Sequence, residues 1–157
     1  MIHPTANVHY SARVEEGSVV GPYCILGAGV EIGPGCELMA HGFIEGPIRI
    51  GARNRFFPYA TIGVEPQDLK YQGERSETRI GNGNIFREFV TVHRGTAGGG
   101  ALTVIGDGCL LQAHAHVAHD CQIGNQVILG HGVSMAGHVV LEEGAFMGAF
   151  TGIHQYC

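Results

Sequence analysis

The chain has 157 residues, of which 26 are glycine, none is tryptophan and only 15% are charged, while hydrophobic types make up 45%. That is enough apolar material for one domain with a core, but it comes in short pieces, which excludes a membrane span and favours short strands and tight turns over long helices. The start, MIHPTANVHYSARVEEG, has neither the basic nor the apolar segment of an export signal, so a cytoplasmic protein is expected, with neither nucleic acid nor membrane insertion.

From Val8, steps of six residues land on Val14, Val20, Leu26, Ile32, Leu38, Ile44, Ile50, Phe56 and Ile62. The register resumes at Ile80, Phe86 and Val92, and again from Ile105 through Leu111, Val117, Ile123, Leu129, Met135, Leu141 and Met147 to Ile153. Neither a helical nor an alternating period accounts for this. Glycine often follows the apolar residue, and the position four further on is small or β-branched, as in Ser18, Val30, Ala60, Ala115 and Val133. The pattern predicts an all-β fold: a parallel β-helix in which three short strands make one coil of about 18 residues. Cys24, Cys36, Cys109, Cys121 and Cys157 all take the small inward position, so they are expected to fill core rather than to form disulfides or act as nucleophiles.

Two segments break the register and are expected as external loops, at about 64–79 and about 95–104. If each returns the chain to the next face, Ile62, Val92, Val117, Met135 and Ile153 stack on one face. His119 then stands one coil, about 4.8 Å, from Gly137. His93, His116, His119, His138 and His154 gather at this face. His41 and His131 are expected at corners with no partner in register, and His3 and His9 are read as equally structural. Asp120 is open: neighbours on an extended backbone point to opposite sides, so it either polarises His119 through the corner or faces substrate.

QDLKYQGE at 67–74, TVHRGT at 91–96, AHVAHDCQIGN at 115–125, AGHV at 136–139 and IHQYC at 153–157 together resemble the UDP-N-acetylglucosamine O-acyltransferases that begin lipid A synthesis. The resemblance implies a left-handed winding and a homotrimer. It also implies transfer of a (R)-3-hydroxyacyl group from acyl carrier protein to the sugar 3-hydroxyl of UDP-N-acetylglucosamine, without a cofactor. It makes His119 the general base and Gly137 the donor of an oxyanion N–H, with Asp120 in support. Gln67, Asp68, Lys70, His93, His116, His138, His154 and Gln155 would bind or orient substrate. Eight of the nine basic residues lie between Arg49 and Arg94, which reads equally as a surface suited to an acidic carrier protein and as a solvated face. Read as one β-helical domain over 1–157, the chain would lack the helical C-terminal domain of such enzymes, which leaves room for a β-helix that keeps the fold without the activity. The rival chemistry is zinc held by His93, His114 and His119, as in hexapeptide-type carbonic anhydrases. His114, three residues after Leu111, belongs to a different face.

Overall fold

The computed structural model describes all 157 residues. It is the expected left-handed parallel β-helix, with strands gathered into three parallel sheets of eight, seven and seven. Each strand pairs with its equivalent in the next coil, as Asn7 does with Ile25 and Val8 with Leu26. The predicted face is the eight-stranded sheet: Ile62 pairs with Val92, Val92 with Val117, Val117 with Met135 and Met135 with Ile153.

One cluster of 30 buried residues fills the helix, and Phe56 and Phe86 stack inside it with ring centres 4.7 Å apart. The same apolar rungs are only half-buried at Val8, Val14, Met147 and Ile153, where a coil has a neighbour on one side only. Cys157 lies in such a coil and is exposed, so its assignment to the core is corrected. The other four cysteines do fill core, and their thiols donate to the carbonyls of Met39, Gly51, Gly124 and Ala136. Burial pushes each of these thiols up, Cys121 to about 11 with help from the charge of Asp120, so none supplies a thiolate near neutral pH.

Strands of two to four residues leave no length for curvature, so the chain turns at corners built on left-handed backbone. Many of these positions are not glycine, among them Tyr23, His41, Tyr59, Phe89 and His114. Such a conformation costs roughly 1–2 kcal/mol per residue, and stacking between coils offsets part of it. Tyr23, His41, Tyr59, Phe89 and His114 form one column with neighbouring ring centres 5.0–5.2 Å apart and planes within 14°. His131 continues it edge-on between His114 and Phe150. His41 and His131 therefore do have partners in register, contrary to expectation, because the corner repeats as faithfully as the core.

The two excursions are shorter than the sequence implies. Strands reach Val64 and restart at Glu77, and the second excursion closes at Leu102, because Glu77–Ile80 pairs with Leu102–Ile105 over all four residues. Polar Thr78 and Thr103 point inward there and mask the apolar pattern. No helix of the molecule is long and apolar enough to cross a membrane.

Candidate active site

Both excursions, 65–76 and 94–101, leave the eight-stranded sheet at the same corner. His119 and Asp120 occupy that corner in one coil and Gly137 and His138 in the next. Asp120 faces His119, and its backbone is what turns it there. At φ 60° it leaves the strand alternation, and its Oδ2 lies 2.8 Å from His119 Nδ1. The carboxylate is 1% exposed and the imidazole 15%. Thr96 donates to the same carboxylate twice, N–H to Oδ1 at 2.7 Å and Oγ1–H to Oδ2 at 2.5 Å. Asp120 N–H in turn donates to Thr103 Oγ1 at 2.9 Å, which explains the inward threonine in an apolar strand. Since an ionised carboxylate can only accept, Nδ1 carries the ring proton and Nε2 keeps its lone pair.

Gly137 lies against that ring. An ideal Cβ on it would stand 2.7 Å from His119 Nε2 and 2.9 Å from Nδ1, so any side chain would displace the imidazole. Its N–H has no partner among the chain's hydrogen bonds, whereas those of Ala136 and His138 on either side are bonded to Ile153 and His119 carbonyls. His138 packs edge-on against His119 and stacks on Tyr156, with Nε2 3.8 Å from Asp120 Oδ2.

His116 stands on the strand that leads into His119, and His93 lies one coil before it. His116 Nδ1 is 2.7 Å from Thr91 Oγ1, and His93 Nδ1–H donates to the Glu65 carbonyl at 2.6 Å. Burial first, then neighbouring imidazoles, hold His116 down to about 4; burial likewise lowers His93, against the pull of its Glu65 bond. Both rings are neutral at neutral pH and act as hydrogen-bonding groups. The folded protein thus refuses protons that an unfolded chain takes up below the ordinary 6.5. The contribution of these two rings to stability is complete above about pH 6.5 and is lost as the pH falls from there toward 4. Urea midpoints at pH 7.5 and pH 5 should differ in that direction, and His116→Gln should narrow the gap; equal midpoints in the parent chain would contradict it.

The remaining predicted residues divide around His119. Gln67 and His154 share a groove with His116, His119 and Ser134 on the sheet side. Asp68 and Lys70 line a second recess with Tyr71, Thr96, His138 and Tyr156 on the far side. Gln155 is exposed, lines neither recess, and places only its carbonyl near His154 Nδ1, at 3.2 Å.

The bacterial transferase hexapeptide model, six repeats, matches residues 102–137. Two curated relatives are named acyl-acyl-carrier-protein UDP-N-acetylglucosamine O-acyltransferase. The one from Thermodesulfovibrio yellowstonii is 48% identical over 92% of this chain and 56% of its own, and the one from Stenotrophomonas maltophilia strain R551-3 is 48% identical over 99% and 59%. The solved UDP-N-acetylglucosamine acyltransferase of Francisella novicida superposes on the whole chain with a TM-score of 0.98 at 40% identity, over 57% of its own length. The β-helix of this chain is thus similar along its whole length to the one in proteins named UDP-N-acetylglucosamine acyltransferase. The chain spans less than three-fifths of the length of these relatives.

Within this β-helix, the rival zinc triad does not assemble in one chain. His114 stands on the aromatic corner against Phe89, away from His93 and His119. The one group of possible metal-binding side chains is His119, Asp120 and His138, with donor atoms within 4.8 Å of one another. Its central carboxylate already accepts three hydrogen bonds, so the group fits a hydrogen-bonded relay better than a ligand set. Sequence reasoning missed Thr96 and Thr103, although Thr96 ends the quoted TVHRGT. It also missed Arg94, which ties the first excursion down through Tyr71 Oη at 3.0 Å and the Gly63 carbonyl at 3.2 Å.

Proposed function

We propose that the chain transfers a (R)-3-hydroxyacyl group from acyl carrier protein to the 3-hydroxyl of UDP-N-acetylglucosamine, with His119 as general base. The observation that carries this reading is the buried Asp120–His119 pair, whose Nε2 faces Gly137, in a β-helix shared with acyltransferases of that name. His119 Nε2 takes the proton from the sugar hydroxyl as its oxygen bonds to the thioester carbonyl carbon. The carbonyl oxygen becomes an oxyanion, which the free Gly137 N–H receives. Collapse breaks the carbon–sulfur bond, and the departing thiolate recovers the proton from the imidazolium, leaving an ester and a carrier thiol. Asp120 stabilises the imidazolium between the two transfers.

His93, buried, and His116, half-buried, orient substrate as neutral rings that add no positive charge beside that imidazolium, and His138 orients it from the next coil. Gln67 and His154 contribute from the groove, Gln155 from the exposed turn after His154, and Asp68 and Lys70 from the first excursion, across the boundary of a homotrimer. Five of the nine basic residues are already in ion pairs, which leaves Lys70 and Arg75 on that excursion as the free cations best placed for an acidic carrier protein.

The test is direct. Incubated with 3-hydroxyacyl carrier protein and UDP-N-acetylglucosamine, the chain should form the O-acylated sugar nucleotide, detected by mass, and should sediment as a trimer. Purified protein carrying one zinc per chain and forming no product would sink this assignment.

A further inference from the structure

The second excursion, RGTAGGGA at 94–101, carries four glycines, yet it is no loose loop. A Cβ on Gly99 would overlap the Asp120 side chain, and one on Gly95 would collide with the backbone of Ala101 and Leu102 and stand 2.8 Å from Asp120 Oδ1. Glycine is needed there because the loop lies directly against the carboxylate. Thr96, itself buried, supplies both of the non-histidine donors to that group, and its carbonyl accepts from Gly99 and Ala101 N–H at 3.1 and 2.7 Å, which closes the turn.

We infer that Thr96 and its glycine turn position the base: they seal Asp120 from water and fix its carboxylate so that Oδ2 holds His119 in the Nδ1–H tautomer. The chain of cause runs through hydrogen-bond capacity. Asp120 Oδ2 accepts from both Thr96 Oγ1 and His119 Nδ1, while Oδ1 is held by Thr96 N–H. Two donors from one residue leave the carboxylate no freedom to rotate about its Cβ–Cγ bond, so its orientation is set before substrate arrives. Without Oγ1–H, Oδ2 keeps only the imidazole, and the carboxylate gains room to turn. Thr96 touches no substrate in this scheme; it acts through Asp120 on His119. The consequence for turnover rests on the acyltransfer reading above, whereas the consequence for the imidazole does not.

The experiment compares Thr96→Val, which keeps shape and N–H but removes the hydroxyl donor, with Thr96→Ser, which keeps the donor. The ring nitrogens of His119 are read by 15N NMR on the intact chain, its peak assigned with His119→Gln, alongside acyl-transfer kinetics. Thr96→Val should shift His119 away from the Nδ1–H signature and lower kcat by about tenfold to a hundredfold, the scale of lost outer-shell support, with KM little changed. Thr96→Ser should restore both. An unchanged 15N signature in Thr96→Val overturns the inference, as does a serine variant as impaired as the valine one, which would mark Thr96 as mere packing. A shifted signature in a chain that transfers no acyl group upholds the positioning role and removes the catalytic reading instead. If Thr96→Val does not fold, Gly99→Ala asks the same question with every donor intact: crowding the carboxylate should move the His119 signature, and an unmoved one overturns the inference.

Discussion

His119→Ala should lower acyl transfer by about 10²- to 10⁴-fold, the usual contribution of a positioned general base, with the β-helix still folded. The fold survives because the imidazole is no part of the core: it stands at a corner, and Asp120 retains both Thr96 donors when the ring is gone. Removing the ring also leaves Gly137 N–H and the groove residues in place, so substrate binding should suffer less than turnover. His119→Gln sharpens the result. Glutamine can still donate toward Asp120 but cannot take a proton, so it should be as inactive as alanine if proton transfer is the role. It should recover activity if the ring only orients substrate. Turnover within a few-fold of the parent chain in both variants would remove His119 from the mechanism. Circular dichroism and thermal melting on the same samples keep misfolding from imitating lost chemistry.

Much of this was legible before any coordinates. The six-residue register follows from packing alone, since every rung must present one large and one small residue to a narrow interior, and any other spacing breaks the stack. The same register placed His119 opposite Gly137, because parallel coils repeat at a fixed distance. What stayed hidden lies off the register. Asp120 was ambiguous because alternation describes strands, and at φ 60° it is not in one. Thr96 was invisible because its partner is 24 residues away and their meeting depends on how the excursion folds back. The outer halves of both excursions looked like loop because inward Thr78 and Thr103 interrupt the apolar pattern, yet the four-residue pairing there holds the turn over the site. The stacked column through His41 was missed for a simpler reason. Exposed aromatic residues carry no burial signal, although a repeat aligns its corners as strictly as its core.

Gly137→Ala should be nearly as damaging as loss of the base, for a reason separate from any oxyanion role. Alanine keeps the backbone N–H, so the donor proposed for the oxyanion survives, and what changes is clearance. The new Cβ would stand 2.7 Å from His119 Nε2, inside van der Waals contact, and the ring is the softer partner because Gly137 is held by strands on both sides. Overpacking of this kind usually costs about 1–3 kcal/mol. At a corner much of it is relieved by swinging the imidazole off Asp120, which trades stability for geometry. A small drop in melting temperature should therefore accompany a fall in kcat of roughly a hundredfold, as expected when a reacting group moves by about an ångström. A double-mutant cycle isolates the route. If Gly137→Ala acts by displacing His119, adding it to His119→Ala should change little, because there is no ring left to move. If the two losses multiply, the glycine contributes through its own backbone, and the clearance argument is wrong. The comparison separates two roles that one residue fills at once: room for the base and a free N–H beside it.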